Sequence, residues 1–401
     1  MSNSRLIPGE HSKPQCKKKQ KNPIFTSIEC WFETIPAETL KNLKLNLNHL
    51  LAISPKRWVL YYPMVLLPSG SFGSEWGSIF QAMIIPSSTD NYSSDLWKLI
   101  LINIEKREGK GKLTHLAINS GIPPLELGLE ESKTEKNILR TPSGLIPLFG
   151  NFGPSLSPLI MPSEQDFEDA FWVSTKQNGI IQIWAPRYTM FSRGNFKEKE
   201  RVLKFHSHGD LNKDEISRSS VVDLYAGIGY FVFSYVKMGF GKVFGWELNP
   251  WSVEGLRRGA LANGWSTRVI RSEDHLTLTS ERIFVFLENN NLAHAKLMKL
   301  GALGNIKHIN CGLLPTSVDS WATALKCIVS EGWLHLHENV GEKEISTRAS
   351  EIEEICHRLL NVGNDRANVK HTELVKTFAP QIWHCVFDVY VKKHKQFHQI
   401  S

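Results

Sequence analysis

The sequence lacks the features that would place it in a membrane or cross-link it by disulfides. Its 401 residues contain no uninterrupted apolar run of membrane-spanning length. Residues 1–4 do not open a secretory signal. The six cysteines are scattered, with no Cys-x-x-Cys pair and no Cys/His cluster at zinc spacing. We therefore expect a soluble, cytoplasmic protein with reduced thiols, no membrane contact and no metal.

An excess of positive charge is small over the whole chain but concentrated near its start. The net charge is +7, which is modest for this length, yet five lysines fall between Lys13 and Lys21. Such a run repels itself and stays solvated, so we expect a basic disordered arm over residues 1–22. Two interpretations stay open, because the arm could be a solubilising tail or could contact nucleic-acid phosphates.

Turn-forming residues divide the rest of the chain into two predicted domains. The length suffices for two domains, and the apolar content of 41% is ordinary for a globular protein. Glycine and proline are densest in Phe149-Gly150-Asn151-Phe152-Gly153-Pro154-Ser155. We predict an N-terminal domain of mixed α+β structure over residues 23–154 and a second domain over residues 155–401.

The N-terminal domain carries one helical and one strand-like pattern. Residues 24–51 place apolar side chains at helical spacing, which predicts a core-facing helix, whereas residues 55–72 are β-rich. Trp58 and Trp76 could stack on nucleic-acid bases, but aromatic residues beside aliphatic runs are more often buried. Core packing is the favoured interpretation for both.

In the second domain, strand and helix patterns alternate. A hairpin is predicted around Asn178-Gly179, then a charged helix, then a polar linker over residues 210–220. From Val221 onward the alternation predicts an α/β, doubly wound, Rossmann-like parallel sheet. The expected elements are a helix over 252–263, a polar loop over 271–281, a helix starting near Ser320, and strands over 283–287, 306–310, 333–337, 372–378 and 386–391.

A glycine turn lies at the start of this alternation, and it lacks the third glycine of a dinucleotide-binding fingerprint. The turn reads Asp223-x-x-Ala226-Gly227-x-Gly229, with Val232 where that third glycine would stand. Glycine lets backbone N–H groups approach a ligand closely. Glu247, at the end of the next strand, suits a ribose diol. An acid before the glycines suits the cationic ligand S-adenosylmethionine (AdoMet) better than an anionic pyrophosphate.

Several motifs together carry a resemblance to a known family. They are Met190-Phe191-Ser192-Arg193-Gly194-Asn195 with Glu198-Lys199, residues 223–231 and 247–250, residues 308–317 with Trp321, and residues 335–340. From Trp58 onward the chain resembles fungal members of the tRNA wybutosine-synthesising protein 2 family, related to the tRNA guanine-37 N1-methyltransferases. The methyltransferases carry Ser-Pro-Arg-Leu where this chain has Ser192-Arg193-Gly194-Asn195, and they have a different loop at residues 312–317.

The resemblance implies a catalytic AdoMet-binding domain and an RNA substrate. It implies transfer of the 3-amino-3-carboxypropyl group of AdoMet to carbon 7 of 4-demethylwyosine at position 37, in the anticodon loop of tRNA-Phe, with release of methylthioadenosine. A sulfonium activates all three attached carbons, so placement decides which group moves. Two alternatives stay open: a guanine-37 N1-methyltransferase, and a tRNA-binding protein without catalysis.

Site residues follow from the resemblance position by position. Ser192 and Lys199 match AdoMet-binding positions near the methionine end, where a lysine can neutralise the α-carboxylate. Asp223, Gly227 and Gly229 form the turn. Glu247 matches the acid on the ribose, and Asn289-Asn290 match an Asp-Asn pair that holds adenine. Because Asn289 replaces a carboxylate, Glu288 could share that contact.

Neither a metal site nor a catalytic base is identified from the sequence. His335, His337 and Glu338 could suggest a metal, but no third ligand with suitable spacing is evident. They are expected to be hydrogen-bonding residues at the edge of the sheet. The residue that removes the proton from carbon 7 is unknown.

Overall fold

A computed structural model describes residues 21–83, 92–119, 125–127, 134–136, 145–157, 160–207, 211–360 and 364–394. The predicted basic arm over residues 1–22 therefore lies outside the described residues, except for Lys21 and Asn22, which is the N-cap residue of α1. Among the described helices, none combines the length and apolar character needed to cross a bilayer.

The first part of the chain forms a small mixed sheet covered by helices. Its strands lie in the order β1-β2-β3-β6, and β4 pairs separately with β5. The elements are α1 (Pro23–Thr34), α2 (Ala37–Asn42), α3 (Leu47–Ala52), β1 (Val59–Tyr61), β2 (Met64–Leu67), α4 (Ser74–Ala82), α5 (Tyr92–Glu108), β3 (His115–Ile118), β4 (Leu125–Leu127), β5 (Thr134–Lys136) and β6 (Ile146–Phe149).

The single helix predicted over residues 24–51 is wrong, because the segment forms three helices. α1 ends before Pro36, which precedes α2 as its N-cap residue. Asn46 then begins a new helix, since its side chain accepts a hydrogen bond from the backbone N–H of His49. Helical spacing continues through the segment because all three helices turn apolar side chains toward one core. Capping residues, not apolar spacing, set the breaks.

The buried residues of this core run from Ile24 to Ile118, and they include Trp76, which is 1% exposed. Core packing of Trp76 is thereby confirmed, and Trp58 packs partly buried against the same core. A second cluster joins this part to the rest, because Tyr61 and Met64 pack with Trp184. The domain boundary after residue 154 stays a prediction.

The second part of the chain contains the large sheet. Its elements are α6 (Glu164–Asp169), β7 (Val173–Gln177), β8 (Ile180–Trp184), α7 (Phe196–Leu203), α8 (Lys213–Arg218), β9 (Ser220–Asp223), α9 (Val232–Met238), β10 (Lys242–Glu247), α10 (Pro250–Ala262), β11 (Thr267–Ile270), β12 (Ile283–Leu287), α11 (Ala293–Lys299), β13 (Ile306–Cys311), α12 (Trp321–Cys327), β14 (Glu331–Gly341), α13 (Ile345–Leu360), β15 (Arg366–Ala379) and β16 (Ile382–Lys392).

Eight strands form this sheet in the order β11-β12-β10-β9-β13-β14-β16-β15. The pairs from β11 to β14 are parallel, whereas β16 runs antiparallel to both β14 and β15. The doubly wound α/β prediction is confirmed. β7 and β8 form the predicted hairpin, in which Asn178 and Gly179 both adopt positive φ.

Two sequence-based expectations in this part need correction. The predicted polar linker contains α8, which a capping box between Asn212 and Glu215 begins. The strand β11 was not predicted. It is short and lies at the edge of the sheet, where a short run such as Thr267–Ile270 gives little periodic signal. The polar loop that follows it forms neither helix nor strand over residues 271–281, as predicted.

Candidate AdoMet site

The strand order reverses direction at β9, which lies between β10 and β13. In open parallel sheets, the crevice outside the carboxyl ends of the strands at such a switch point is where ligands bind. Asp223 ends β9, Glu247 ends β10, and Glu288 follows β12. Residues that are distant in the sequence therefore meet at one edge.

The glycine turn has the backbone geometry that its composition predicts. Gly227 has φ +53° and Gly229 has φ +87°, a region that residues with a side chain rarely adopt. A Cβ atom at position 229 would also come within 2.6 Å of the Phe233 ring. The turn thus requires glycine for both its conformation and its close packing on α9.

Asp223 is an uncompensated acid at the bottom of this crevice. It is 0% exposed. Its Oδ1 accepts hydrogen bonds from the Tyr225 backbone N–H at 3.1 Å and from Asn310 Nδ2 at 3.2 Å. Its buried Oδ2 has no hydrogen-bond partner among the described residues. Burial raises the pKa of Asp223 to about 7, so a cationic ligand would stabilise the carboxylate form.

Glu247 links the second strand of the crevice to the glycine turn. Its Oε2 accepts a hydrogen bond from the Gly227 backbone N–H at 2.9 Å, and its Oε1 accepts one from Asn249 N–H at 2.8 Å. Each carboxylate oxygen has further lone pairs. The acid is therefore held in place at the carboxyl end of β10, and a carboxylate is the type of group that accepts from a diol.

The structure separates the three candidates for the adenine contact. Glu288 is buried, and it pairs with Lys296 at 3.2 Å and accepts from Trp246 Nε1 at 3.3 Å. Asn289 is exposed and accepts from the backbone N–H of Asn291 at 2.9 Å. Asn290 Nδ2 donates to the Leu224 carbonyl at 2.8 Å. Glu288 is thus occupied inside the protein, whereas Asn289 is exposed and Asn290 is half-buried beside Leu224.

Ser192 and Lys199 lie beside the residue that follows Gly229. The Ser192 backbone N–H donates to the Tyr230 hydroxyl at 3.3 Å. Lys199 Nζ donates to the side-chain oxygens of Gln177 and Gln182 at 2.8 and 2.9 Å. It also lies 4.7 Å from the centre of the Phe191 ring.

Lys199 is a buried cation without an acidic partner. It is 3% exposed, and no carboxylate among the described residues pairs with it. Burial lowers the pKa of Lys199 to about 8. An isolated buried charge is costly, so an arriving anion would be stabilised at this position.

Sequence reasoning missed two polar residues of the crevice. Asn310 is 1% exposed, and its Oδ1 has no partner among the described residues. Its place at the end of the strand pattern of residues 306–310 is a usable signal. Lys376 Nζ lies 3.5 Å from Ser192 Oγ. Nothing local marks Lys376, because its position depends on the antiparallel return of β15 to the sheet.

His335 and His337 form internal hydrogen bonds. His335 Nδ1 lies 2.7 Å from Asp388 Oδ1, and His337 Nδ1 lies 3.0 Å from His384 Nε2. Both are 1% exposed. In the part of the chain that the structure describes, no group of three or more His, Cys, Asp or Glu side chains is arranged to hold a metal ion.

The crevice at the switch point contains this glycine turn, and an acid ends both β9 and β10. These features define the class of protein. The fold is the Rossmann-like fold of class I AdoMet-dependent transferases. Solved structures agree at the level of the fold. P. horikoshii TYW2 in complex with MeSAdo aligns with a TM-score of 0.54 at 18% identity, over 92% of this chain and 100% of that chain. Trm5b from Pyrococcus abyssi aligns with a TM-score of 0.51 at 16% identity, over 87% and 79%.

Sequence comparison identifies the family. The chain is 44% identical over 340 residues to tRNA wybutosine-synthesizing protein 2 of Schizosaccharomyces pombe, covering 84% of this chain and 72% of that protein. It is 35% identical over 393 residues to the protein of the same name from Saccharomyces cerevisiae, covering 87% and 77%. No family model matches the sequence. The chain belongs to the tRNA wybutosine-synthesizing protein 2 family.

Proposed function

We propose that the protein transfers the 3-amino-3-carboxypropyl group of AdoMet to carbon 7 of 4-demethylwyosine at position 37 of tRNA-Phe, and releases methylthioadenosine. Family membership supports wybutosine synthesis as the process. The structural observation that carries the proposal is a crevice with an unpaired acid, Asp223, and an unpaired cation, Lys199. AdoMet has the complementary charges, because it contains a sulfonium, an ammonium group and a carboxylate.

Asp223 and the glycine turn would hold the charged centre of AdoMet. The free Oδ2 of Asp223 can accept from the ammonium group and attract the sulfonium. Gly227 and Gly229 let the backbone lie close to the ligand. Asn310 offers a second free oxygen at the same strand edge. These groups suit a cation, and they would repel the pyrophosphate of a dinucleotide.

Glu247 and the asparagine pair would hold the adenosine part. Two backbone N–H groups fix the position of the Glu247 carboxylate, and a carboxylate in that position would accept from the ribose hydroxyls. The amide groups of Asn289 and Asn290 can exchange hydrogen bonds with adenine without adding charge. Because Glu288 already pairs with Lys296, it is the less suitable adenine partner.

Ser192 and Lys199 would hold the methionine end. Lys199 has three N–H donors and uses two on glutamine oxygens, so the third remains for a carboxylate. Ser192 lies next to Tyr230, which follows the glycine turn. In the proposed arrangement these two residues would hold the methionine end, and Glu247 would hold the ribose.

In the proposed reaction, carbon 7 of the base attacks the γ-carbon of the methionine group. A carbon–carbon bond forms, the bond from the γ-carbon to sulfur breaks, and its electron pair goes to the sulfur of neutral methylthioadenosine. The proton on carbon 7 then leaves to a base. Because the sulfonium is already a good leaving group, the protein acts chiefly by positioning the two reactants.

The test is product analysis with the full chain, AdoMet and tRNA-Phe that carries 4-demethylwyosine. The proposal predicts methylthioadenosine and a tRNA heavier by one aminocarboxypropyl group. Formation of S-adenosylhomocysteine and a methylated base would instead make the protein a methyltransferase. Binding of tRNA without either product, unaffected by Asp223→Ala, would make it a non-catalytic RNA-binding protein.

A further inference from the structure

Lys376 is a second cation in the crevice, contributed by the far end of the chain. It lies on β15, and its Nζ approaches Ser192 Oγ at 3.5 Å. Its side chain is partly buried, and burial lowers its pKa. No carboxylate among the described residues forms an ion pair with it, and its polar contact is with the Ser192 hydroxyl. Ser192 and Lys376 are 184 residues apart in the sequence. The fold thus brings a partly buried ammonium group to the site.

Gly194 provides the space that Lys376 occupies. A Cβ atom at position 194 would lie 2.5 Å from both Cδ and Nζ of Lys376. The backbone of Gly194 does not adopt positive φ, so the requirement for glycine here is space and not conformation. A side chain at position 194 would therefore displace Lys376.

His384, the cross-strand neighbour of Lys376, does not balance the positive charge of Lys376. Lys376 pairs with His384 across β15 and β16. His384 is 0% exposed, and burial, together with the nearby Lys376, lowers its pKa to about 4. The histidine is therefore neutral at physiological pH. Neither Ser192 nor His384 therefore supplies a negative charge beside Lys376.

We propose that Lys376 binds the α-carboxylate of the methionine group of AdoMet. The neighbouring contacts favour this anion over an RNA phosphate, because Ser192, which Lys376 touches, donates to Tyr230 of the glycine-turn segment. A carboxylate has two oxygens, so it can accept from Lys376 as well as from Lys199. Anchoring the carboxylate fixes the aminocarboxypropyl chain, and that decides which carbon of the sulfonium faces the base. The proposal rests on the proposed function, since it assumes AdoMet in the crevice.

The experiment is calorimetric titration of the full chain with three ligands. AdoMet carries the carboxylate, decarboxylated AdoMet lacks only that group, and methylthioadenosine lacks the whole chain. Lys376→Gln should weaken AdoMet binding about tenfold, the size expected for a charge-assisted hydrogen bond. It should leave the affinities for the other two ligands unchanged. Gly194→Ala should produce the same ligand-selective loss, because it displaces Lys376.

Lys370→Gln is the matched control, since Lys370 lies on the same strand and is exposed. It should change none of the three affinities. Unchanged AdoMet binding in Lys376→Gln, or an equal loss for all three ligands, would overturn the proposal. A parallel titration with tRNA-Phe completes the test, and a loss confined to tRNA binding would also overturn the proposal, because it would assign Lys376 to a phosphate. If the unmutated protein bound neither AdoMet nor methylthioadenosine, the proposed function itself would fail.

Discussion

Arg201 on α7 and Asp388 on β16 form a bidentate ion pair. Arg201 Nη1 donates to Asp388 Oδ2 at 2.5 Å, and Nη2 donates to Oδ1 at 3.1 Å. Burial would raise the pKa of Asp388, but His335 and Arg201 outweigh that effect and hold it at about 2. The pair anchors the helix that carries Lys199, so it supports the site without touching the ligand.

Breaking this pair should destabilise the protein strongly. Asp388→Asn leaves the largely buried Arg201 with one carboxylate fewer, and we expect a loss of about 3 kcal/mol in the free energy of unfolding. Urea denaturation measures it. Glu200→Gln is the control, because Glu200 pairs with Lys204 on the exposed side of the same helix. It should cost less than about 0.5 kcal/mol, and equal losses in the two variants would contradict the structural role of Asp388.

Gly229→Ala should both destabilise the protein and abolish AdoMet binding. An alanine here would have to adopt positive φ, and its Cβ would overlap the Phe233 ring. Together these effects cost about 2 to 4 kcal/mol in the free energy of unfolding. Gly264→Ala separates the two causes, because Gly264 has φ +75° with open space around it. That control should lose only about 1 kcal/mol and keep AdoMet binding. The two thermal melting temperatures and AdoMet titrations give the comparison.

Glu247→Gln should weaken all adenosine-containing ligands alike. The amide keeps the size of the side chain, but its nitrogen cannot accept from Gly227 N–H or from a ribose hydroxyl. We expect about a tenfold loss for both AdoMet and methylthioadenosine in calorimetry. A loss for AdoMet alone would move Glu247 to the methionine end of the site.

AdoMet affinity should be greatest between about pH 7 and about pH 8. Asp223 has a raised pKa of about 7, so it gains its charge as the pH rises through that value. Lys199 has a lowered pKa of about 8, so it loses its charge as the pH rises further. Below this window the contact with the ammonium group is lost, and above it the contact with the carboxylate is lost.

Two variants assign the limbs of that profile. Asp223→Asn should remove the rise near pH 7, and Lys199→Met should remove the fall above pH 8, as measured by AdoMet titration at each pH. Methylthioadenosine, which has neither charged end, should show a nearly flat profile. A profile that keeps both limbs in both variants would rule out these two residues as the titrating groups.

The sequence predicts the part of the site that short motifs encode. Asp223, Gly227, Gly229 and Glu247 each end a strand or form its turn, so the chain's own alternation brings them together. The positive φ of the two glycines could be anticipated from residue type, whereas the hydrogen bonds of Asp223 and Glu247 could not. The positions of α8 and of the breaks near Pro36 and Asn46 depended on caps, which carry weaker local signals.

The remaining features depend on contacts between distant residues. Lys376 reaches Ser192 only because β15 pairs antiparallel with β16 at the end of the sheet. The occupation of Glu288 by Lys296 and Trp246 likewise follows from side-chain packing. Neither has a signature in local composition, which is why the sequence, while assigning Asn289, left open whether Glu288 contacts adenine as well.

The measurement that most directly tests the account is mass spectrometry of both products of one reaction. The full chain is incubated with AdoMet and tRNA-Phe carrying 4-demethylwyosine, and the small molecules and the modified nucleoside are analysed together. The account predicts methylthioadenosine in equal amount with a base that has gained one 3-amino-3-carboxypropyl group. S-adenosylhomocysteine with a base that has gained one methyl group would contradict it.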